Sequence, residues 1–361
     1  MLLAGSIEVE DNEGRMNMVI KKYFLILNLC FIGLLCVTGP SSDAQEIAEI
    51  IEGAKREGKL LYYSDLTLPD CTLMAKEFEK KYPFVKVEVL RSSGESLLTR
   101  ALGEARAKSL KAGIFQASIV PVSIMKQAGF LMNYVSPESK AWPAKFKDTE
   151  DFWNAFQIFP YVITYNTKLI SRQEAPKTYF DLLAPKWKGK IGLETEDTQW
   201  FFHLIKVMGR EKGIDYMKQL AKQDLMFHTG HPLQIQLCIS GELPIVVVGY
   251  YNHVEQEKSK GAPIEWVRFE SFPTIASVNA VSIVANSPTP NAAKLFYNFL
   301  ISREAAKILR ETLRRVPGNP DEQPHEIRTL NIHTAFPEEF LANYKQVMKE
   351  WQEIFRPPKS K

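Results

Sequence analysis

What this sequence has little of narrows its function first. No block of lysine and arginine stands out, and the formal charge is only +3. Nucleic-acid binding is not suggested, because a phosphate-tracking face needs clustered cations. No G-x-S-x-G, Walker loop, dinucleotide fingerprint or metalloprotease helix occurs, so the common signatures of turnover are missing. There is no internal repeat and no low-complexity linker. Cysteine is scarce. Of four, Cys30 and Cys36 lie in an N-terminal apolar run, which leaves Cys71 and Cys238. Those two could pair in an oxidising compartment, but their separation gives no geometric support for a bridge.

What is present is an ordinary globular composition. The 361 residues are 45% hydrophobic, enough for two lobes with cores of their own. Lys21 and Lys22 precede an apolar run over 23–37, followed by Thr38-Gly39-Pro40-Ser41-Ser42-Asp43-Ala44. This reads as a secretory leader over 1–44 with small residues Ser42 and Ala44 before the cut. The run is short for a membrane span, which needs ~20 apolar residues. The acidic stretch before Arg15 fits a leader poorly, so Met16 or Met18 is a candidate start. Neither cysteine of the run follows a small residue, which argues against a lipid anchor. The mature chain from Gln45 is weakly basic and compatible with an anionic ligand.

From there the pattern alternates. Helical spacing over 47–54 leads to a strand over 60–64 and a helix over 69–82. Val85, Val87 and Val89 alternate with charged residues in a half-buried strand. Ser92-Ser93-Gly94 opens a helix, and 115–120 reads as an apolar strand. A second series follows an extended apolar segment over 156–164. Within it the strand Ile245-Val246-Val247-Val248-Gly249 delivers Tyr250 and Tyr251 at its carboxyl end, and a further strand is read over 264–267. The segment 276–285 returns, and Phe340, Tyr344, Met348 and Trp351 predict one stripe of a C-terminal helix. Alternating strands and helices imply βαβ units and largely parallel pairing.

In open α/β sheets ligands sit at the carboxyl ends of the strands. Tyr250 and Tyr251 there are either aromatic walls of a cleft or phenolate ligands for a hard metal such as Fe(III). Ser92, Ser93 and Gly94 offer hydroxyls and backbone N–H groups to an anion, or simply cap a helix. Ser64 and Asp65 end the first strand and face the same crevice, or cap a turn. Tyr165 could reach the cleft or pack at the crossover. Glu194, Glu196 and Asp197 read as helix caps. His228 and His231 read as part of a turn, because two histidines without a second cluster are a weak zinc signal.

Several landmarks together resemble a known family. They are Tyr165-Asn166-Thr167, Ala175-Pro176-Lys177-Thr178, Pro185-Lys186-Trp187-Lys188-Gly189-Lys190-Ile191, Gly241-Glu242-Leu243-Pro244, Gly261-Ala262-Pro263-Ile264-Glu265-Trp266 and Pro290-Asn291-Ala292-Ala293-Lys294-Leu295-Phe296. The chain is similar over 46–320 to periplasmic solute-binding proteins of ABC transporters, in the ferric-iron-binding branch. The resemblance implies an α/β type II periplasmic binding fold, with two lobes joined by a β-strand hinge. One lobe would comprise 45–157 and 275–320, the other 158–274, with the lobe of the C-terminal segment 321–361 left open. It implies a monomeric periplasmic receptor, not an enzyme. Such a receptor hands its ligand to an inner-membrane ABC permease and needs no cofactor.

In ferric-binding members an adjacent tyrosine pair supplies two phenolates, which would make Tyr250 and Tyr251 metal ligands. Some also recruit a tyrosine near Tyr165. This chain departs from that pattern. Tyr63-Ser64-Asp65-Leu66-Thr67 has no histidine and Val120-Pro121-Val122-Ser123 no glutamate. The ligand therefore stays open between Fe(III) and a small anionic solute. A metal-free organic solute and a secreted enzyme on the same scaffold are the alternatives.

Overall fold

Six strands fall into two parallel triplets, as the alternation of strands and helices predicts. The computed structural model describes residues 42–269, 272–334 and 337–355. The apolar run and most of the expected leader lie outside them. The described residues from Glu49 onward cluster as one unit. The expected cut after Ala44 falls within the helix Ser42–Glu57.

In the first triplet, β1 (Lys59–Ser64) lies between β2 (Lys86–Arg91) and β3 (Ile114–Ser118), parallel to both. The crossover strand β4 (Asn154–Asn166) follows. In the second triplet, β5 (Ile191–Glu194) lies between β6 (Met226–His228) and β7 (Ile245–Tyr250), again parallel to both. The short β8 (Ile264–Trp266) pairs with β4. The return strand β9 (Thr274–Ile283) runs antiparallel to both β3 and β4. The sheet order is β2-β1-β3-β9-β4-β7-β5-β6. β10 (Val316–Pro317) adds to β4, and β11 (Ile332–Thr334) adds to β9.

β4 is the hinge of this arrangement. It pairs with β9 through Asn154–Pro160 and with β7 through Tyr161–Tyr165. Register irregularities fall between Ala155 and Gln157 and between Val162 and Thr164. Gly249 on β7 faces the second of these. A Cβ there would stand 2.4 Å from Thr164 Oγ1, so the close approach needs glycine. The first five residues of β7 are all buried, the continuous apolar run of a strand covered on both faces.

Two expectations are corrected. The strand read over 115–120 ends at Ser118, and the helix Ile119–Gln127 takes Val120. Pro121 sits in its first turn, where a missing N–H costs nothing. In the C-terminal helix Pro337–Phe355 the buried stripe is Phe340, Val347, Trp351 and Phe355, while Tyr344 is exposed. The stripe joins the core of the second triplet with Trp200, Phe201, Leu204 and Tyr216. Cys71 and Cys238 are buried and unpaired. Among the described residues no helix is long and apolar enough to cross a membrane.

One core residue makes the fold acid-sensitive. His203, on the helix Thr198–Met208, is fully buried, and neither ring nitrogen has a partner. Burial, helped by the nearby His333 and Lys206, pushes its pKa down to about 3. The unfolded chain takes up a proton near the ordinary value of 6.5 and the folded chain does not. The stability this group contributes is therefore complete above that value. It falls by up to about 1.4 kcal/mol per pH unit between pH 6.5 and about 3. His203→Leu is expected to flatten that slope in denaturant titrations run from pH 7 to pH 4. An unchanged slope would remove His203 as its cause.

Candidate functional site

Both triplets end on the same kind of edge. β1, β2 and β3 finish at Ser64, Arg91 and Ser118; β5, β6 and β7 finish at Glu194, His228 and Tyr250. A helix begins directly after β3 and β7 and within a few residues of the other four strands. The result is two sets of strand ends and helix N-termini, the setting in which α/β sheets bind ligands.

On the first set the predicted residues divide. Ser64 is fully buried, donates to Gln116 Oε1 at 3.3 Å and accepts from the Leu66 N–H at 3.2 Å. Asp65 accepts from the Ser118 N–H at 2.8 Å and from Asn279 Nδ2 at 2.7 Å. Burial nevertheless holds its carboxyl above the usual range, with these bonds pulling the other way. A Cβ on Gly94 would lie 3.4 Å from the Asp65 carboxylate and 3.5 Å from Ser118 Oγ. Ser64, Asp65, Gly94 and Ser118 thus meet in one place. Ser93 caps the helix Gly94–Arg106 by accepting from the Ser96 N–H at 3.3 Å, and the Ser92 N–H donates to the Ser64 carbonyl at 3.3 Å.

The second set holds a denser cluster. Tyr250 stacks on His231, ring centroids 3.8 Å apart. Phe159, Tyr161 and His253 surround it at 5.1, 5.5 and 5.5 Å. The Tyr161 and Tyr250 rings lie tilted at 35° to each other. Burial pushes both phenols well up, with Asp197 and Glu194 adding to it. His231 Nε2 lies 3.3 Å from Asp197 Oδ1, and its Nδ1 lies 3.0 Å from the Val248 carbonyl. Burial opposes a charge on the ring, but Asp197 and the carbonyl outweigh it and raise the pKa. An acceptor facing each nitrogen makes the ring easier to protonate than a free imidazole.

Asp197 corrects the capping expectation. It stands at the start of the helix Thr198–Met208, yet its side chain caps nothing. One oxygen meets His231, and the other is buried without a partner. Glu194 accepts from the Gly230 N–H at 3.0 Å and from the Glu196 N–H, and Thr195 Oγ1 meets Thr229 Oγ1 at 3.0 Å. These bonds tie the loop after β5 to the loop after β6.

The adjacent tyrosines do not share ring neighbours. Tyr251 packs edge-on against Trp266 at 5.3 Å, and burial, then Glu255 and Glu326, push its pKa up. Tyr165 is on that side too. It lines a cavity of about 910 Å³ with Trp266, Arg172, Lys258 and Glu265. The tyrosine that joins Tyr250 is Tyr161, four residues before Tyr165 on β4. Sequence reasoning had absorbed it into an apolar crossover. Its only signal was a hydroxyl in an otherwise greasy run. Among the described residues no three His, Cys, Asp or Glu side chains form a metal centre. A cation bound here would need phenol oxygens.

Residues 122–336 match the model of the bacterial extracellular solute-binding proteins. The chain belongs to that family. The major ferric iron-binding protein of Neisseria meningitidis serogroup B is 21% identical over 188 residues, 50% of this chain and 55% of that protein. The chain thus spans about half the length of the curated relatives it matches. Among solved structures, the Trichodesmium protein IdiA (FutA) in complex with iron and citrate is 21% identical. It superposes with a TM-score of 0.70 over 81% of this chain and 99% of its own. The periplasmic binding protein AfuA from Actinobacillus pleuropneumoniae, with fructose-6-phosphate bound, is 22% identical. It superposes at 0.67 over 83% of this chain and 99% of its own. These likenesses establish the expected type II periplasmic binding fold, with two α/β lobes and a β-strand hinge.

Proposed function

We propose that this solute-binding protein is the periplasmic receptor of an ABC importer and that Fe(III) is its ligand. The observation that carries the ligand is the cluster of hard oxygens at the end of β7. Two phenols, Tyr161 and Tyr250, with ring centroids 5.5 Å apart, lie close enough to the carboxylates of Asp197 and Glu194 to be pushed up by their charge. Such a group repels an anion and suits a hard trivalent cation, whose charge lowers a phenol pKa enough to ionise it. The iron named for the Neisseria and Trichodesmium relatives supports the reading. Tyr250 is the donor of the expected pair that the geometry favours. Tyr251 would have to leave Trp266 to join it.

Closure of the lobes, rather than bond chemistry, would be the working step. The switch of β4 from β9 to β7 at Pro160 and Tyr161 supports lobes of 45–157 with 275–320, and 158–274. The packing of Phe340, Trp351 and Phe355 against the core of the second triplet supports grouping the C-terminal helix with the second lobe. The receptor would act as a monomer, without a cofactor, and pass its cargo to a membrane permease.

One set of features favours a small anion instead. Ser92, Ser93 and Gly94 stand at a helix N-terminus beside Arg91. Arg315 is 3.2 Å from Asp70 and close enough to His253 to help burial hold that ring's pKa down at about 4. Mass spectrometry and metal analysis of the native protein decide between the two. About one iron per chain is expected. A co-purifying organic anion with no iron would overturn the iron reading, and product formation from any bound solute would overturn the receptor.

A further inference from the structure

The loop that carries Glu194 and Asp197 is held from outside the site. Trp351, on the C-terminal helix Pro337–Phe355, donates its indole N–H to the Thr195 carbonyl at 3.2 Å, in a buried setting. Thr195 sits between the two acids. Its hydroxyl reaches Thr229, and Glu194 takes the Gly230 and Glu196 N–H groups. One indole therefore pins the middle of a small network whose ends are the acidic members of the cluster. The ring packs perpendicular to Phe201 at 5.5 Å, and Phe355 lies against it at 4.8 Å. The helix beneath it is tied down by Arg210 to Glu350 and Lys206 to Glu339.

We propose that Trp351 is a positioning residue for the ligand site, fixing the Glu194–Asp197 loop through the Thr195 carbonyl. Aromatic packing alone needs no indole N–H, and a phenylalanine would fill most of the same space. The N–H supplies the one thing packing does not, a directional bond to a backbone carbonyl that would otherwise be buried without a donor. The acids of the cluster then start from a set geometry instead of being ordered when the ligand arrives. The proposal rests on the reading of this cluster as the binding site.

The test compares Trp351→Phe, which deletes the N–H and keeps a ring, with Phe355→Leu, which loosens packing and leaves the bond. Amide hydrogen exchange in ligand-free protein is the first readout. Trp351→Phe is expected to speed exchange about tenfold at the Glu196 and Gly230 amides, both bound to Glu194, with little change elsewhere. Phe355→Leu is expected to lower the melting temperature without a selective change at those two amides. Titration with ferric citrate is the second readout. Trp351→Phe should bind about tenfold more weakly, the size of effect a supporting partner has on a metal site, and Phe355→Leu as wild type. Unchanged exchange at Glu196 and Gly230 in Trp351→Phe, or an equal effect from Phe355→Leu, would overturn the positioning role. If wild type takes no iron, the iron reading fails, and the exchange comparison still decides the role of Trp351.

Discussion

Tyr250→Phe is expected to remove much of the visible phenolate-to-iron absorption and to weaken Fe(III) binding by roughly 100-fold or more. Tyr251→Phe is expected to keep the band and most of the affinity. The difference follows from where the two rings lie. Tyr250 packs against Tyr161 and His231 and lies within reach of the charges of Asp197 and Glu194. Its phenol is held protonated by burial first and then by Tyr161, Asp197 and Glu194. An arriving cation reverses the balance, because the same carboxylates that disfavour a phenolate favour a metal. Tyr251 is turned to Trp266. The pH dependence has a fixed sign. Each phenol must lose a proton to bind, so affinity should rise with pH, about tenfold per unit for each proton released. Titration against a competing chelator between pH 6 and pH 8 measures both effects. Loss of the band in Tyr251→Phe with its retention in Tyr250→Phe would sink this assignment.

The largest expected loss of stability comes from a glycine outside the candidate site. Gly318 follows β10, and its N–H donates to the Phe156 carbonyl at 2.9 Å on the hinge strand. A Cβ there would lie 1.8 Å from the Ala155 carbonyl oxygen, inside backbone that cannot swing aside. Gly318→Ala therefore has to break the pairing of Val316 and Pro317 with β4 or push β4 off β9. Overpacking of this kind costs ~3 kcal/mol. A drop of several degrees in melting temperature is expected. Gly58→Ala makes a useful control. Its added carbon meets nothing within 4 Å, and only the positive φ of 67° opposes it. A Gly318→Ala protein as stable as wild type would mean that β10 does not brace the hinge.

Much of the architecture was legible because it is written in short-range patterns. The apolar run of β7, the alternation in β2 and the serine before the helix Gly94–Arg106 each state a local preference, and the fold honours them. Val120 was misread because Val and Ile suit a strand and a buried helix equally well, and the proline that decides it comes one residue later. The site was less legible because its partners are separated by long stretches of chain. Asp197 looks like a cap from its neighbours and becomes a ligand candidate only when His231 arrives from another helix. Tyr161 carries no local signal. Its meaning depends on β4 leaving β9 for β7 at that residue, a property of the sheet rather than of the segment. Tyr251 misled for the opposite reason. Adjacency in sequence suggested a shared target, but the change from strand to helix at Tyr250 and Tyr251 sends the two rings to different neighbours.

The two buried cysteines have a practical consequence. Cys71 and Cys238 are both fully covered, and burial pushes their thiols upward, that of Cys238 to about 12. Thiols held in that form react slowly. The folded unit is therefore a silent background for maleimide chemistry. Leu68 and Leu233 are 57% and 47% exposed, each at the start of a helix that follows a strand end, one after β1 and one after β6. Cysteines placed at these two positions would carry spin labels or fluorophores in a preparation that starts at Gln45. The distance between them would report how far the mouth opens, with no native thiol to remove first.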